Sequence, residues 1–112
     1  MIDSYSFGLI VIDGTRYTSD LIIFPHRVKG GWWRKHSHQV HPEDLSEVIL
    51  EKPEILVIGT GAEGLVQVLP ETQRYLDSHG IVLIAEATEE ACRTYNRLNQ
   101  SQKVVAAFHL TC

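Results

Sequence analysis

The chain is predicted to fold as a single α/β domain with a central mixed, mostly parallel sheet flanked by helices, and an antiparallel β-meander as a layer at its N-terminal side. Three observations predict this. Short apolar runs separated by turn residues fill the first part of the chain, with Asp13-Gly14 between two of them. From Pro42 onward, helical spacing alternates with apolar runs in the order helix, strand, helix, strand, helix, strand, which calls for parallel strands and right-handed crossovers. The length of 112 residues suits one domain with one sizeable core, and residues 1–112 are read as that domain.

Each element has its own warrant. Phe7-Gly8-Leu9-Ile10-Val11-Ile12 and Thr15-Arg16-Tyr17 flank Asp13-Gly14, a dipeptide that tolerates the positive φ angles of a two-residue hairpin turn. Asp20 to Phe24 is predicted as a third strand, stopped by Pro25. Val28 to Arg34 is a fourth, with Gly30-Gly31 marking a bulge or close backbone approach. Pro42 fits a first helical turn, Glu43 and Asp44 complement its dipole, and Leu45, Val48 and Ile49 recur at helical spacing before Pro53. Ile55 to Ile58 is apolar throughout, as a strand buried on both faces must be. Pro70 opens a second helix with Tyr75 and Leu76 directed inward and His79-Gly80 as its stop. Ile81 to Ala85 is the next strand. Thr88 is predicted as the N-cap of a third helix that carries Ala91, Cys92, Tyr95 and Leu98 on one face. Lys103 to Leu110 is the last strand.

Composition excludes several classes of protein. A net charge of −4 argues against nucleic acid or anionic membrane as a general partner. No apolar run approaches the roughly 20 residues of a membrane-spanning helix, so a soluble protein without membrane insertion is expected. Residues 1–15 show neither a secretory nor an Arg-rich targeting pattern, which makes the cytoplasm the expected location. Cys92 and Cys112 form neither a disulfide framework nor a C-x-x-C pair. The charge is uneven, however. Between Leu21 and Pro42 there is no acidic residue, while Arg27, Lys29, Arg34 and Lys35 stand there with four histidines and Trp32-Trp33. This strip reads either as a recognition surface or as a solvated strand face packed by its tryptophans.

The second candidate is the stretch from Glu54 to Gly64, where an apolar run opens into Gly59-Thr60-Gly61-Ala62-Glu63-Gly64 and Glu86 closes the following apolar run. A G-x-G-x-x-G loop can cradle a phosphate when a helix begins at its second glycine and aims free N–H groups at the anion. Here Val66 and Val68 precede Pro70, so the order expected is strand, glycine loop, short extended piece and only then a helix. Two readings of Gly59, Thr60 and Gly61 follow: an anion-binding loop, or a tight turn whose backbone angles and packing only glycine tolerates. Glu86 is correspondingly a ribose ligand or an ordinary strand-end residue.

Arg34 with His38 could hold an anion, the guanidinium as a rigid fork and the imidazole as a titratable donor; the alternative is a structural pair that holds a loop. His36, His38 and His41 lie close together, with His36 and His38 expected on one strand face. Neither a cysteine nor a second carboxylate recurs at ligand spacing, and no metal site or cofactor is expected. Trp32 and Trp33 should point to opposite sides of their strand, one into the core and one outward, which with Lys35 would suit a partner surface. Ser37 has histidine neighbours but no readable triad.

The residues Ile22-Ile23-Phe24-Pro25, Val28, Trp33-Arg34-Lys35, His38, Asp44-Leu45, Pro53-Glu54 and Ile58-Gly59-Thr60-Gly61 resemble the Mth938-like domain family, a domain of uncharacterised function. The resemblance covers nearly the whole chain. It implies a three-layer α/β fold with a central mixed sheet and an additional β-layer. It also implies an interaction role, since eukaryotic members include a mitochondrial assembly factor for respiratory complex I and an adipogenesis-associated protein. Two functional classes are therefore carried forward. One is a non-enzymatic interaction or assembly module with a protein partner. The other is a small anion- or nucleotide-binding protein or enzyme that uses Gly59-Thr60-Gly61 with Arg34 and His38. Because Pro70 displaces the helix start that a pyrophosphate requires, calorimetric titration with NAD or NADP is expected to give no dissociation constant in the micromolar range or tighter.

Overall fold

The computed structural model describes residues 1–112. Its strands are β1 (Ile2–Ser6), β2 (Leu9–Ile12), β3 (Thr15–Tyr17), β4 (Leu21–Phe24), β5 (Arg27–Gly30), β6 (Gln39–Val40), β7 (Ile55–Thr60), β8 (Gln67–Val68), β9 (Val82–Glu86) and β10 (Val104–His109). A 3-10 turn at Pro42–Leu45 leads into α1 (Ser46–Glu51), and α2 (Pro70–Ser78) and α3 (Thr88–Leu98) follow. The central sheet has the order β5-β4-β10-β7-β9. It is mixed: β10, β7 and β9 run parallel, and β4 is antiparallel to both β10 and β5. The meander β1-β2-β3 forms a separate antiparallel sheet, and β6 pairs with β8 in a short parallel ribbon.

Period-two alternation along the inner strands builds two cores, one on each face of the sheet. Leu21, Ile23, Ile55, Val57, Val104, Ala106 and Phe108 point one way, to Ala91, Cys92 and Tyr95 of α3 and to Ile2, Ile10 and Ile12 of the meander. Ile22, Phe24, Leu56, Ile58, Val105 and Ala107 point the other way, to Leu45, Val48 and Leu76 of the helical turns and to Trp32 and Val40. The result is three layers, with α3 and the meander on one side of the sheet and α1, α2 and the β6–β8 ribbon on the other. Leu76 is fully buried in this arrangement, whereas Tyr75 is half-buried with its ring edge-on to His79.

Several local readings hold and several change. Asp13 (φ 47°) and Gly14 (φ 80°) make the β2–β3 turn as read. The chain begins its β-structure five residues earlier than Phe7: β1 pairs antiparallel with β2 around Phe7-Gly8, and Gly8 sits at φ 77°. The strand expected to reach Arg34 ends at Gly30. Gly31 turns the chain at φ 70°, and the Trp32 N–H donates back to the Asp20 carbonyl at 2.9 Å. Trp32 to His38 are therefore irregular, and His36 and His38 do not share a strand face. Thr88 is not an N-cap. It is the first residue of α3, and its hydroxyl is spent elsewhere, accepting the Gly61 N–H at 2.9 Å and donating to the His109 carbonyl at 2.6 Å.

That hydroxyl and, still closer, the Phe108 ring leave no room for an extra atom at Gly59 of β7. A Cβ on Gly59 would lie 2.4 Å from Cδ1 of Phe108 and 2.9 Å from the Thr88 hydroxyl, both in the fully packed core. Gly59→Ala is thus expected to destabilise the fold by about 1–3 kcal/mol through overpacking. Thermal unfolding measures this, and an unchanged midpoint would show that Phe108 can move aside.

Candidate functional site

Two polar constellations and one open cavity emerge from the region that the sequence singles out. The cavity has a volume of about 390 Å³ and lies between β5, the Gly31–Lys35 segment and the start of α1, where Ile22, Lys29, Trp32, Trp33, Lys35 and Asp44 line it. The two tryptophans divide as expected, although no strand imposes it. Trp32 is buried, with its indole N–H donating to the Asp44 carbonyl at 3.1 Å, and Trp33 is 76 % exposed. Asp44 fixes this wall from both sides, since its carboxylate also accepts the Lys35 N–H at 3.1 Å and the His41 N–H at 2.8 Å. Lys29 is ion-paired with Glu47, and Arg27 approaches the same carboxylate at 3.7 Å. The Lys35 ammonium forms no ion pair and stands exposed beside Trp33.

Behind this wall lies the first constellation, centred on Asp20. Its Oδ2 accepts hydrogen bonds from Nη2 of Arg34 at 2.8 Å and from Nδ1 of His109 at 2.7 Å, and its Oδ1 accepts the Leu110 N–H at 2.9 Å. Two donors converging on one oxygen also account for the 3.0 Å approach of Arg34 Nη2 to His109 Nδ1. Arg34 is 8 % exposed, donates its Nε–H to the Ser37 carbonyl at 3.0 Å and stacks its guanidinium 4.6 Å from the centre of the Trp32 ring. Its Nη1 is buried with no partner. With a proton on Nδ1 directed at Asp20, the imidazole of His109 presents Nε2 toward the Thr111 hydroxyl at 3.4 Å, and the ring of His38 stands edge-on to it at 5.7 Å. A carboxylate orienting an imidazole is half of a nucleophilic triad, but 3.4 Å is long for a hydrogen bond to a nucleophile. The group is built first as an internal tie between β4, β10 and the loop after β5.

The glycine loop forms the second constellation and borders the first. Gly61 has φ 103°, and a Cβ there would come within 3.0 Å of Cδ2 of His109 and 2.8 Å of the Thr111 carbonyl. Four N–H groups of the loop are used within the protein: Gly61 donates to the Thr88 hydroxyl, Ala62 to the Thr111 carbonyl, Gly64 to the Gly61 carbonyl and Val66 to the Thr60 carbonyl. The Thr60 hydroxyl donates to the Glu86 carbonyl at 3.0 Å, while the Glu86 carboxylate accepts from Thr94 at 2.6 Å. Helix α2 begins at Pro70, in the order of elements read from the sequence. Gly61 and the pair Arg34–His38 thus meet on either side of His109, yet no cavity is lined by Gly59, Thr60, Gly61, Arg34 or His38. Sequence reasoning missed Asp20 and His109. The available signal was slight, a lone histidine ending the apolar run Val104 to Phe108 and an aspartate opening another.

Comparison with known proteins follows the same outline. Residues 2–109 match the model of a family described as a protein of unknown function, DUF498/DUF598. The bovine (Bos taurus) NADH dehydrogenase [ubiquinone] 1 alpha subcomplex assembly factor 3 is 31% identical over 109 residues, which cover 95% of this chain and 58% of that protein. The chain therefore spans little more than half the length of that relative. Among solved structures, a conserved hypothetical protein from Pyrococcus horikoshii OT3 aligns with a TM-score of 0.89 at 29% identity, over 100% of this chain and 99% of its own. A Bordetella pertussis protein described as a Mth938-like domain aligns with a TM-score of 0.69 at 22% identity, over 98% and 85%, and so shares the fold. No helix is long and apolar enough to cross a membrane.

The charge state of Asp20 sets a pH dependence. Burial alone would raise its carboxyl, but the hydrogen bonds from His109, the Leu110 N–H and Arg34 together hold it below the usual carboxylate value of 3.8. A group more acidic in the folded than in the unfolded chain contributes stability that is complete above its unfolded value and is lost as pH falls through the lower folded one. Asp20→Asn is expected to cost about 3 kcal/mol at neutral pH, by leaving Arg34 buried without its counter-charge. The gap between the melting temperatures of parent and variant should shrink as pH falls below about 4. Thermal unfolding across that range measures it, and a gap constant with pH would show that the charge of Asp20 is not what matters.

Proposed function

The chain belongs to the DUF498/DUF598 family, and on that premise we propose that it is a small non-enzymatic interaction module of the assembly type, which receives a protein partner on the surface around Trp33. One observation carries this reading: an indole that is 76 % exposed stands at the rim of a cavity of about 390 Å³ floored by the buried Trp32 and Ile22. Burying such a side chain on association releases more apolar surface than any other residue can offer, and tryptophan is enriched among the residues that dominate binding energy. The unpaired Lys35 beside it adds a charge that can select an acidic or hydrogen-bond-accepting partner group. The name of the bovine relative, an assembly factor, supports a protein as the partner. A cytoplasmic setting without nucleic acid is part of the same reading and agrees with the net charge of −4.

A second reading keeps one observation in its favour. Arg34 has a buried Nη1 with no partner, and a small anion held by Arg34 and His38 against Gly59, Thr60 and Gly61 would supply one. Against it stand the paired Asp20 carboxylate, which already neutralises the guanidinium, and the loop N–H groups that donate within the protein.

The two readings separate experimentally. Trp33→Ala is expected to melt within about 0.5 kcal/mol of the parent, as exposed positions do. It should also lose the stoichiometric protein that co-purifies with the untagged parent from its native source. Arg34→Lys should instead lower the melting temperature without a separate effect on that partner. If Trp33→Ala retains the partner, or if millimolar phosphate raises the melting temperature of the parent but not of Arg34→Lys, the anion reading replaces the interaction surface.

A further inference from the structure

Beyond the Trp33 surface, we propose that the free edge of β9 is a self-complementary interface on which a second copy of this chain pairs antiparallel, about a two-fold axis through Ile84. The argument starts from the sheet order, in which β9 and β5 are the two outer strands. An outer strand exposes a row of unpaired N–H and C=O groups, and soluble proteins ordinarily blunt such rows with charge. The edge at β5 is blunted in this way, because Arg27 and Lys29 lie on it and both engage Glu47 of α1. The edge at β9 is not. Its sequence Val82-Leu83-Ile84-Ala85-Glu86 holds no lysine, arginine or proline, and the carboxylate of Glu86 is already turned to Thr94. Leu83 and Ile84 pack against the two cores, but no strand pairs with the outer edge of β9, along which Val82 is 58 % exposed and Ala85 is exposed as well.

The hydrogen-bonding phase of β9 decides which partner fits. The Val82 N–H donates to the Glu54 carbonyl, and the Glu86 carbonyl accepts from the Thr60 hydroxyl, so both residues face β7. In a parallel pair the backbone groups of alternate residues face the same side. Val82, Ile84 and Glu86 therefore look inward, and Leu83 and Ala85 present their N–H and C=O groups outward. An antiparallel copy centred on Ile84 sets Leu83 against Ala85 of the second copy and Ala85 against its Leu83. Both of these are hydrogen-bonded pairs, and Ile84 faces its own copy as the non-hydrogen-bonded pair between them. All four outward groups of each strand are then satisfied, with no like charges opposed. A one-residue slip would set inward-facing groups against outward ones and lose the match. The partner that meets this edge in phase, with its single charge at Glu86 set opposite Val82 of the second copy, is the same edge related by a two-fold axis, as isologous dimers require. The product is one continuous ten-stranded sheet, which leaves the Trp33 surface of each copy, at the opposite edge, free.

Four main-chain hydrogen bonds with a small apolar contact amount to less than the roughly 1,600 Å² of a standard interface. A reversible monomer–dimer equilibrium is therefore expected. Sedimentation equilibrium of the full chain should give a weight-average mass that rises from one chain toward two between roughly 10 µM and 1 mM. Ala85→Lys, which sets an ammonium into the paired edge, should weaken association about tenfold or more while keeping the parent's melting temperature. Leu50→Lys, a change at an exposed apolar position of α1 outside β9, should not weaken it. Amide hydrogen exchange of the parent provides a test that needs no variant, because the Leu83 and Ala85 amides should slow as concentration rises. Any one of three results overturns the proposal: a single-chain mass throughout, a dimer that survives Ala85→Lys, or exchange at Leu83 and Ala85 that ignores concentration.

Discussion

A single carboxylate holds together the part of this molecule that carries both tryptophans. Asp20 precedes β4, and through three donors it draws together the end of β10, the Arg34 loop and the backbone at Leu110. A charged group in such surroundings is costly unless its acceptor capacity is filled and its charge is paired, and here three donors fill it and the Arg34 guanidinium pairs it. The consequence reaches the surface. Because Arg34 is fixed by Asp20 and by the Ser37 carbonyl, its guanidinium supports the inner face of Trp32, and Trp32 in turn forms the floor against which Trp33 stands out. An exposed aromatic on a stiff base loses little freedom on binding, which favours affinity over an equal area presented by a mobile loop.

The glycine loop serves the same end of the sheet by a different route. Phosphate-binding loops keep their amides pointing at solvent. Here the Thr88 hydroxyl bridges the Gly61 N–H and the His109 carbonyl, so that the turn after β7, the start of α3 and the end of β10 are joined through one atom. The resemblance to a dinucleotide fingerprint arises because both situations need glycine for close approach, in one case to a ligand and in this case to Phe108 and the chain near Thr111.

The fold was legible in the sequence wherever a local signal had no competitor. Uninterrupted apolar runs marked β7 and β10, Pro70 and His79-Gly80 bounded α2, and Asp13-Gly14 placed its turn. Errors came where tertiary contacts overrode local preference. Nothing in Trp32 to His38 says that the chain leaves the strand, because the hydrogen bond that diverts it comes from Asp20. Thr88 has the composition of a cap, but a better partner across the sheet takes its hydroxyl. The site was legible in its aromatic and arginine members and not in Asp20 or His109. These two lie 89 residues apart, and only β-pairing brings them together.

The neighbouring tryptophans have a practical consequence in optics. With only two indoles in the chain, its near-ultraviolet emission is the sum of one ring sealed against a guanidinium and one ring in water. A soluble quencher should extinguish the red-shifted part contributed by Trp33 and leave the blue part from Trp32. The unlabelled protein thereby carries its own reporter of whether the surface around Trp33 is bare or covered.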